Sequence, residues 1–191
     1  MTAAPTFSTH ERVVAAAAEL TLEVGWAGVT MGKLAERVGV SRQTVYNEVG
    51  SKQQLAEEMV LAELAKFLAV VDEAFDEHPD DLVEAIRSAS RGVLELARRN
   101  ALLQAVVSAS YGAETELLPL LTTRNDALVL TATQVVKARI PAYPIVLDDR
   151  HLDAAIDMVV RLVLSHVVHP VGEPAATADD IAWIASRTLR P

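Results

Sequence analysis

Residues 30–52 of this 191-residue chain read TMGKLAERVGVSRQTVYNEVGSK. Thr30 and Ser41 each stand just ahead of a short apolar-periodic stretch, where a side-chain oxygen can cap a helix. Met31, Leu34, Ala35 and Val38 recur at helical spacing and form one buried face. Gly39 stops that helix after barely two turns, and Val40 plugs the turn. Val45, flanked by Val40 and Val49, is the narrow buried side of the next short helix. Two short helices joined by a glycine turn make a helix-turn-helix, whose second helix is the one that enters a major groove. Its outward residues are Arg42, Gln43, Thr44, Tyr46 and Asn47. These suit base edges: Arg forks onto guanine, Gln or Asn bridges adenine, and a Thr methyl touches thymine. Thr30, Ser41, Tyr46, Ser51 and Lys52 are placed for phosphates, which fix register without choosing sequence.

Working outward, a first helix is expected from Ser8 to Val24, with Val13, Ala17, Leu20 and Val24 on one stripe and Gly25 as its stop. Ser51 and Gln54 form a capping box for a fourth helix reaching Glu77, before His78-Pro79. At ~1.5 Å per residue that helix is roughly 40 Å long. Further helices are expected from Asp80 or Asp81 to Asn100, Leu102 to Tyr111, Glu114 to Ile140 with an irregular start at Pro119, and Asp148 to Val168. The last runs from a cap at Thr177 to Leu189, with Asp180 as its capping partner. The chain reads as all-α, with about nine helices.

Composition agrees with that class. The chain is 51% hydrophobic but only 4% aromatic, so Ala, Leu and Val build the core. It lacks cysteine, which excludes disulfides and thiolate metal sites. No signal-peptide pattern is read at the N-terminus, and no run reaches the ~18 apolar residues of a membrane span, so a cytoplasmic protein is expected. The net charge is −9, which argues against nucleic acid until its distribution is read. Residues 1–56 balance Arg12, Lys33, Arg37, Arg42 and Lys52 against Glu11, Glu19, Glu23, Glu36 and Glu48. The rest of the chain carries the whole deficit. Phosphate binding needs local cations rather than a basic whole.

The order of these residues resembles the TetR family of repressors. The likeness lies in a Thr-led second helix, the Gly39-Val40-Ser41 turn, the aliphatic-Tyr pair Val45-Tyr46, and Ser51-Lys52 before the long fourth helix. It covers about residues 10–60; beyond them only the architecture is similar. The resemblance implies a DNA-binding domain at 1–55 and a ligand-binding and dimerisation domain at 56–191. It implies a homodimeric repressor on a palindromic operator, released by a small apolar or amphipathic molecule. Carried over by position, Thr30, Ser41, Tyr46 and Lys52 hold phosphates, and Arg42, Gln43, Thr44 and Asn47 face the groove. The chain departs from the family at Glu48-Val49, where members usually have His-Phe. Glu48 then puts an anion at a phosphate-facing position, or accepts from cytosine, or pairs with Arg42 or Lys52. The alternative is a helical adaptor or small-molecule-binding protein with no DNA role.

The penultimate helix is apolar on two sides. Leu152, Ala155, Ile156, Val159, Val163 and Val167 form one stripe; Val160, Leu164 and Val168 form another. A helix apolar on two faces is buried on both. The last helix turns Ile181, Ile184, Ala185 and Thr188 inward, with Trp183 off that stripe. With the resemblance, Val160, Leu164, Val167, Ile181, Trp183 and Ile184 are expected at a dimer seam. Gln104, Ser108, Tyr111, Thr123, Asn125, Thr131 and Gln134 are polar groups among apolar stretches and are candidates for an effector pocket. His166 and His169 lack a third metal ligand. The chain has no phosphate-cradling glycine loop and no nucleophile elbow, so neither an enzyme nor a cofactor is expected.

Overall fold

The computed structural model describes residues 7–108 and 117–189. Among these residues all regular structure is helical: α1 Thr9–Gly28, α2 Met31–Val38, α3 Arg42–Val49, α4 Lys52–Glu77, α5 Leu82–Arg99, α6 Ala101–Ser108, α7 Leu118–Leu121, α8 Asp126–Arg139, α9 Asp149–Val168 and α10 Pro174–Thr188. A 3-10 turn, Ile140–Ala142, follows α8. The chain divides into two compact units, Met1–Glu63 with Ala101–Leu120, and Leu64–Asn100 with Leu121–Pro191. This differs from a single cut at residue 55. The division falls inside the continuous α4, and α6 packs on α1.

In the first unit Ser8 opens α1 with a capping box, its N–H donating to Glu11 Oε2 at 2.7 Å while Glu11 N–H donates back to Ser8 Oγ at 3.2 Å. Val13, Ala17 and Leu20 are buried, but Val24 is exposed. The reason is Gly25, whose φ of 73° and ψ of 159° break the helix. The break turns Trp26 into the core in Val24's place. α2 buries Met31, Leu34, Ala35 and Val38, and Gly39 ends it in the left-handed region at φ 76°. A side chain would be strained there, so the turn requires glycine. α1, α2 and α3 pack on one another. Leu55, Ala56 and Met59 from the start of α4 are also buried. Each fully buried Leu or Val, such as Leu34, Val45 and Leu55, contributes about 1.5–3 kcal/mol.

In the second unit α10 lies along α5, and α9 packs on α5, α8 and α10. The inward stripe of α10 is Pro174, Thr177, Ala178, Ile181, Ala182 and Ala185. α10 therefore starts before the expected cap at Thr177. Pro174 occupies the first turn, where a missing N–H costs nothing, and Thr177 is interior, its hydroxyl donating to Val171 O at 3.3 Å. The single helix expected from Glu114 to Ile140 is two pieces, α7 and α8, separated by a turn before Asn125. At the end of α8, Arg139 forks onto α4: Nε donates to Asp72 at 2.8 Å and Nη1 to Asp76 at 2.6 Å. Tyr143 closes the break that follows. Its hydroxyl donates to His78 O at 2.9 Å and its ring stands edge-on to Phe75 at 6.0 Å. Burial pushes the Tyr143 phenol up from its ordinary value.

Two residues expected at a dimer seam are corrected here. Val167 and Ile181 are buried inside the unit itself, Ile181 only 2% exposed. Ile184 and Thr188, read as inward on α10, face solvent instead. Ile184 lies beyond Thr177 at the edge of the inward stripe, and Thr188 is the last residue of the helix.

Candidate nucleic-acid interface

The recognition helix is held by its two ends. Ser41 Oγ accepts from Thr44 N–H at 3.0 Å and lies 2.8 Å from Thr44 Oγ1. At the other end the N–H of Gly50 returns to Tyr46 O at 2.9 Å. Only Val45 and Val49 of α3 are buried, so its remaining surface is free for chemistry. Gln43 Nε2 donates to Asn47 Oδ1 at 3.0 Å, which joins two amides one turn apart on one exposed edge. Tyr46 is 51% exposed. Thr30 caps α2 by accepting from Lys33 N–H at 3.3 Å. Ser51 and Gln54 form the reciprocal box at the start of α4, with distances of 2.8 and 3.1 Å.

The cations are placed less simply. Lys52 Nζ donates to Trp26 O at 2.9 Å and sits 4.9 Å from the Trp26 ring centroid. Lys33 Nζ donates to Gly28 O at 2.9 Å. Two lysines thus bracket the α1–α2 connection. Arg12 donates to Val38 O, at the end of α2. Arg37 forks onto Glu23 at 2.6 and 2.7 Å; the hydrogen bonds from Arg37 hold the Glu23 carboxyl below its ordinary value. Arg42 makes no ion pair or hydrogen bond among the described residues, and its guanidinium lies over Gly32 of α2. Glu48 pairs with neither Arg42 nor Lys52; its backbone carbonyl lies 3.0 Å from His10 Nδ1, and His10 Nε2 is 3.6 Å from Glu58.

Sequence reasoning passed over His10 and Trp26. No local pattern announces either, because their partners are 38 and 26 positions away.

Two of the candidate effector residues bond to backbone carbonyls, Thr131 in its own helix and Asn125 in the preceding α7. Thr131 Oγ1 donates to Ala127 O at 2.8 Å and Asn125 Nδ2 to Leu121 O at 3.5 Å. Gln104, Ser108, Thr123 and Gln134 are exposed. Tyr111 lies outside the described residues. Thr133, next to Gln134, has a buried hydroxyl with no hydrogen-bond partner among the described residues. Among the described residues no three His, Cys, Asp or Glu come together as a metal group, and no helix is long and apolar enough to cross a membrane.

Comparison with known families bears on both parts of the chain. Residues 13–59 match the model of bacterial regulatory proteins of the tetR family. Residues 81–187, more than half of the chain, match the C-terminal domain of the bacterial tetracyclin repressor. The chain belongs to the TetR family. It is a DNA-binding transcriptional regulator of the repressor type, and not an enzyme; the reading as an adaptor without a DNA role is set aside.

Among TetR-family relatives, the chain is 28% identical over 174 residues to the HTH-type transcriptional regulator AlkX of Mycobacterium tuberculosis, covering 91% of this chain and 81% of that one. The crystal structure of the TetR-family repressor AlkX from a Dietzia species, implicated in biodegradation of n-alkanes, superimposes with a TM-score of 0.78 at 26% identity, covering 97% of each chain. The repressor QsdR of R. erythropolis shares the fold, with a TM-score of 0.63 at 17% identity over 97% of this chain and 96% of that one.

Proposed function

We propose that this TetR-family regulator represses transcription in the cytoplasm by binding a palindromic operator as a homodimer, and that a small apolar or amphipathic molecule releases it. The observation that carries the reading is the exposed amide edge of α3, Gln43 bonded to Asn47, beside an exposed Tyr46. Donors at that place, on a helix with so little buried surface, have no role in the protein's own core. In the proposal Gln43, Thr44 and Asn47 read base edges, while Thr30, Ser41 and Tyr46 contact phosphates. Lys52 reaches a phosphate only with the two ammonium donors that Trp26 leaves unused.

The homodimer is supported by three large apolar side chains left in water: Met158 is 70% exposed on α9, Trp183 61% and Ile184 45% exposed on α10. Val160 and Leu164 are half-buried and extend the same expectation. An aliphatic effector is supported by similarity to the AlkX repressors and by the 4% aromatic content. Thr133, with its unpartnered hydroxyl, is then the candidate for bonding the effector's polar end.

The test begins with duplexes selected by the protein from a randomised pool. The selected sites should be inverted repeats with half-sites about one helical turn, ~34–36 Å, or a multiple apart. Adding n-alkanes, n-alkanols or fatty acids of graded length should lower affinity for the selected duplex. Non-repeating sites would sink the symmetric dimer, and indifference to the whole series would sink the aliphatic effector.

A further inference from the structure

The helix-turn-helix unit carries five Lys and Arg side chains, and four are committed to the protein itself. Arg12 holds Val38 O, Lys33 holds Gly28 O, Lys52 holds Trp26 O, and Arg37 holds Glu23. Arg42 is the one left without a partner among the described residues. Its position at the start of α3 suggests a base reader. Its pose does not. A Cβ built on Gly32 would lie 2.8 Å from Arg42 Nη2, 2.9 Å from Nε and 3.0 Å from Cζ. The guanidinium therefore lies against α2, over Gly32. In a helix-turn-helix the first helix crosses the DNA backbone while the second enters the groove.

Gly32 has no backbone reason to be glycine. It lies inside α2 with no positive φ, where alanine is the better helix former. What glycine supplies there is the space that the guanidinium fills.

We infer that Arg42 is a phosphate contact rather than a base reader, and that Gly32 is the residue that positions it, by leaving α2 bare where the guanidinium lies. This rests on the operator-binding reading above. Arg37 is neutralised by Glu23, and Arg12, Lys33 and Lys52 keep their charge but are tethered to backbone carbonyls. Arg42 is thus the cation with an untethered charge to bring to the DNA backbone, where counterion release scales with the cations that reach phosphate. Arg42 supplies that charge, and neighbouring amides are left to choose the sequence. An arginine forked onto phosphate also uses its planar geometry in a way a lysine cannot match.

The experiment uses the full chain and the duplexes it selects from a randomised pool, with an unrelated duplex of equal length as reference. Arg42→Ala should weaken binding to selected and unrelated duplexes by the same factor. It should leave base preference unchanged at every position and reduce the salt slope by about 1 per half-site. Gly32→Ala should keep or raise the thermal midpoint yet weaken binding in the same uniform way, because the added methyl displaces the guanidinium. In an Arg42→Ala background Gly32→Ala should add nothing. Arg42→Lys should restore the salt slope but only part of the affinity. The inference is overturned if Arg42→Ala relaxes preference at one base pair per half-site, or if the two substitutions weaken binding additively. A wild-type protein that selects no duplex would instead overturn the operator-binding reading, and this inference with it.

Discussion

At the scale of single residues, the recognition edge is already occupied. Gln43 and Asn47 satisfy each other across one helical turn, so reading a base means exchanging that bond for one to DNA. A bidentate amide–adenine contact discriminates by about 1–3 kcal/mol. Gln43→Ala is therefore expected to relax preference at one base pair per half-site while affinity for unrelated DNA holds. Repeating the duplex selection with the variant checks this; an unchanged consensus would remove Gln43 from the readout. Thr133 makes the opposite kind of prediction. Its hydroxyl is buried with no partner among the described residues, and a buried polar group left unmade costs roughly 1–3 kcal/mol. Thr133→Val keeps the shape and removes that cost, so the ligand-free protein should melt no lower than wild type. If the hydroxyl bonds the effector, the same variant should need a higher effector concentration for release. Calorimetric melting and a release titration on one preparation separate the two effects. A variant that melts lower and releases normally would show a structural hydroxyl.

At the scale of elements, caps decide where helices begin. Ser41 fixes the start of α3 through a bond to Thr44 N–H. Losing such a cap costs about 0.5–2 kcal/mol. Ser41→Ala should lower the thermal midpoint, whereas Ser41→Asn, another good cap, should recover most of it. Equal melting of the two variants would count against the cap as the cause. Asp148 caps α9 by accepting from His151 N–H at 2.9 Å. That backbone bond, joined by one from the His151 ring, holds its carboxyl below the ordinary value of 3.8. A lowered folded-state value gives stabilisation that is complete above pH 3.8 and fades as pH falls through the folded value. The gap in thermal midpoint between wild type and Asp148→Ala should accordingly be present at neutral pH and close on acidification below that point. Melting at stepped pH values tests the sign; a gap that widens in acid would contradict it. These starts were legible beforehand because a cap, its partner and the first apolar residues lie within four positions. The start of α10 was not, since Pro174 reads equally as loop and as first turn. Nor was the fate of Val24, which depends on how Gly25 turns the chain.

At the scale of the whole molecule, the proposed homodimer rests on apolar side chains that the single chain leaves in water, chiefly Met158, Trp183 and Ile184. Ile184→Asp places an anion on the outward side of α10 without touching its inward stripe on α5. If that side meets a partner, the anion is buried without a counter-ion, at a cost of several kcal/mol per site. The variant should sediment as a monomer, keep its helical circular dichroism, and lose operator affinity together with the dimer. A variant that stays dimeric would place the seam elsewhere. The helical class, the helix-turn-helix with its outward amides, and the family were all legible from residue spacing, because each depends on residues close together along the chain, within one short helix or across neighbouring ones. The tertiary structure alone decided which side of α9 and α10 points inward, so that Val167 and Ile181 belong to the core. It also decided that Lys52 is taken by Trp26, and that Arg42 lies over Gly32. Helical periodicity reports that a face is apolar but not what covers it. A cation's partner is chosen by proximity in space, between residues that no local pattern connects.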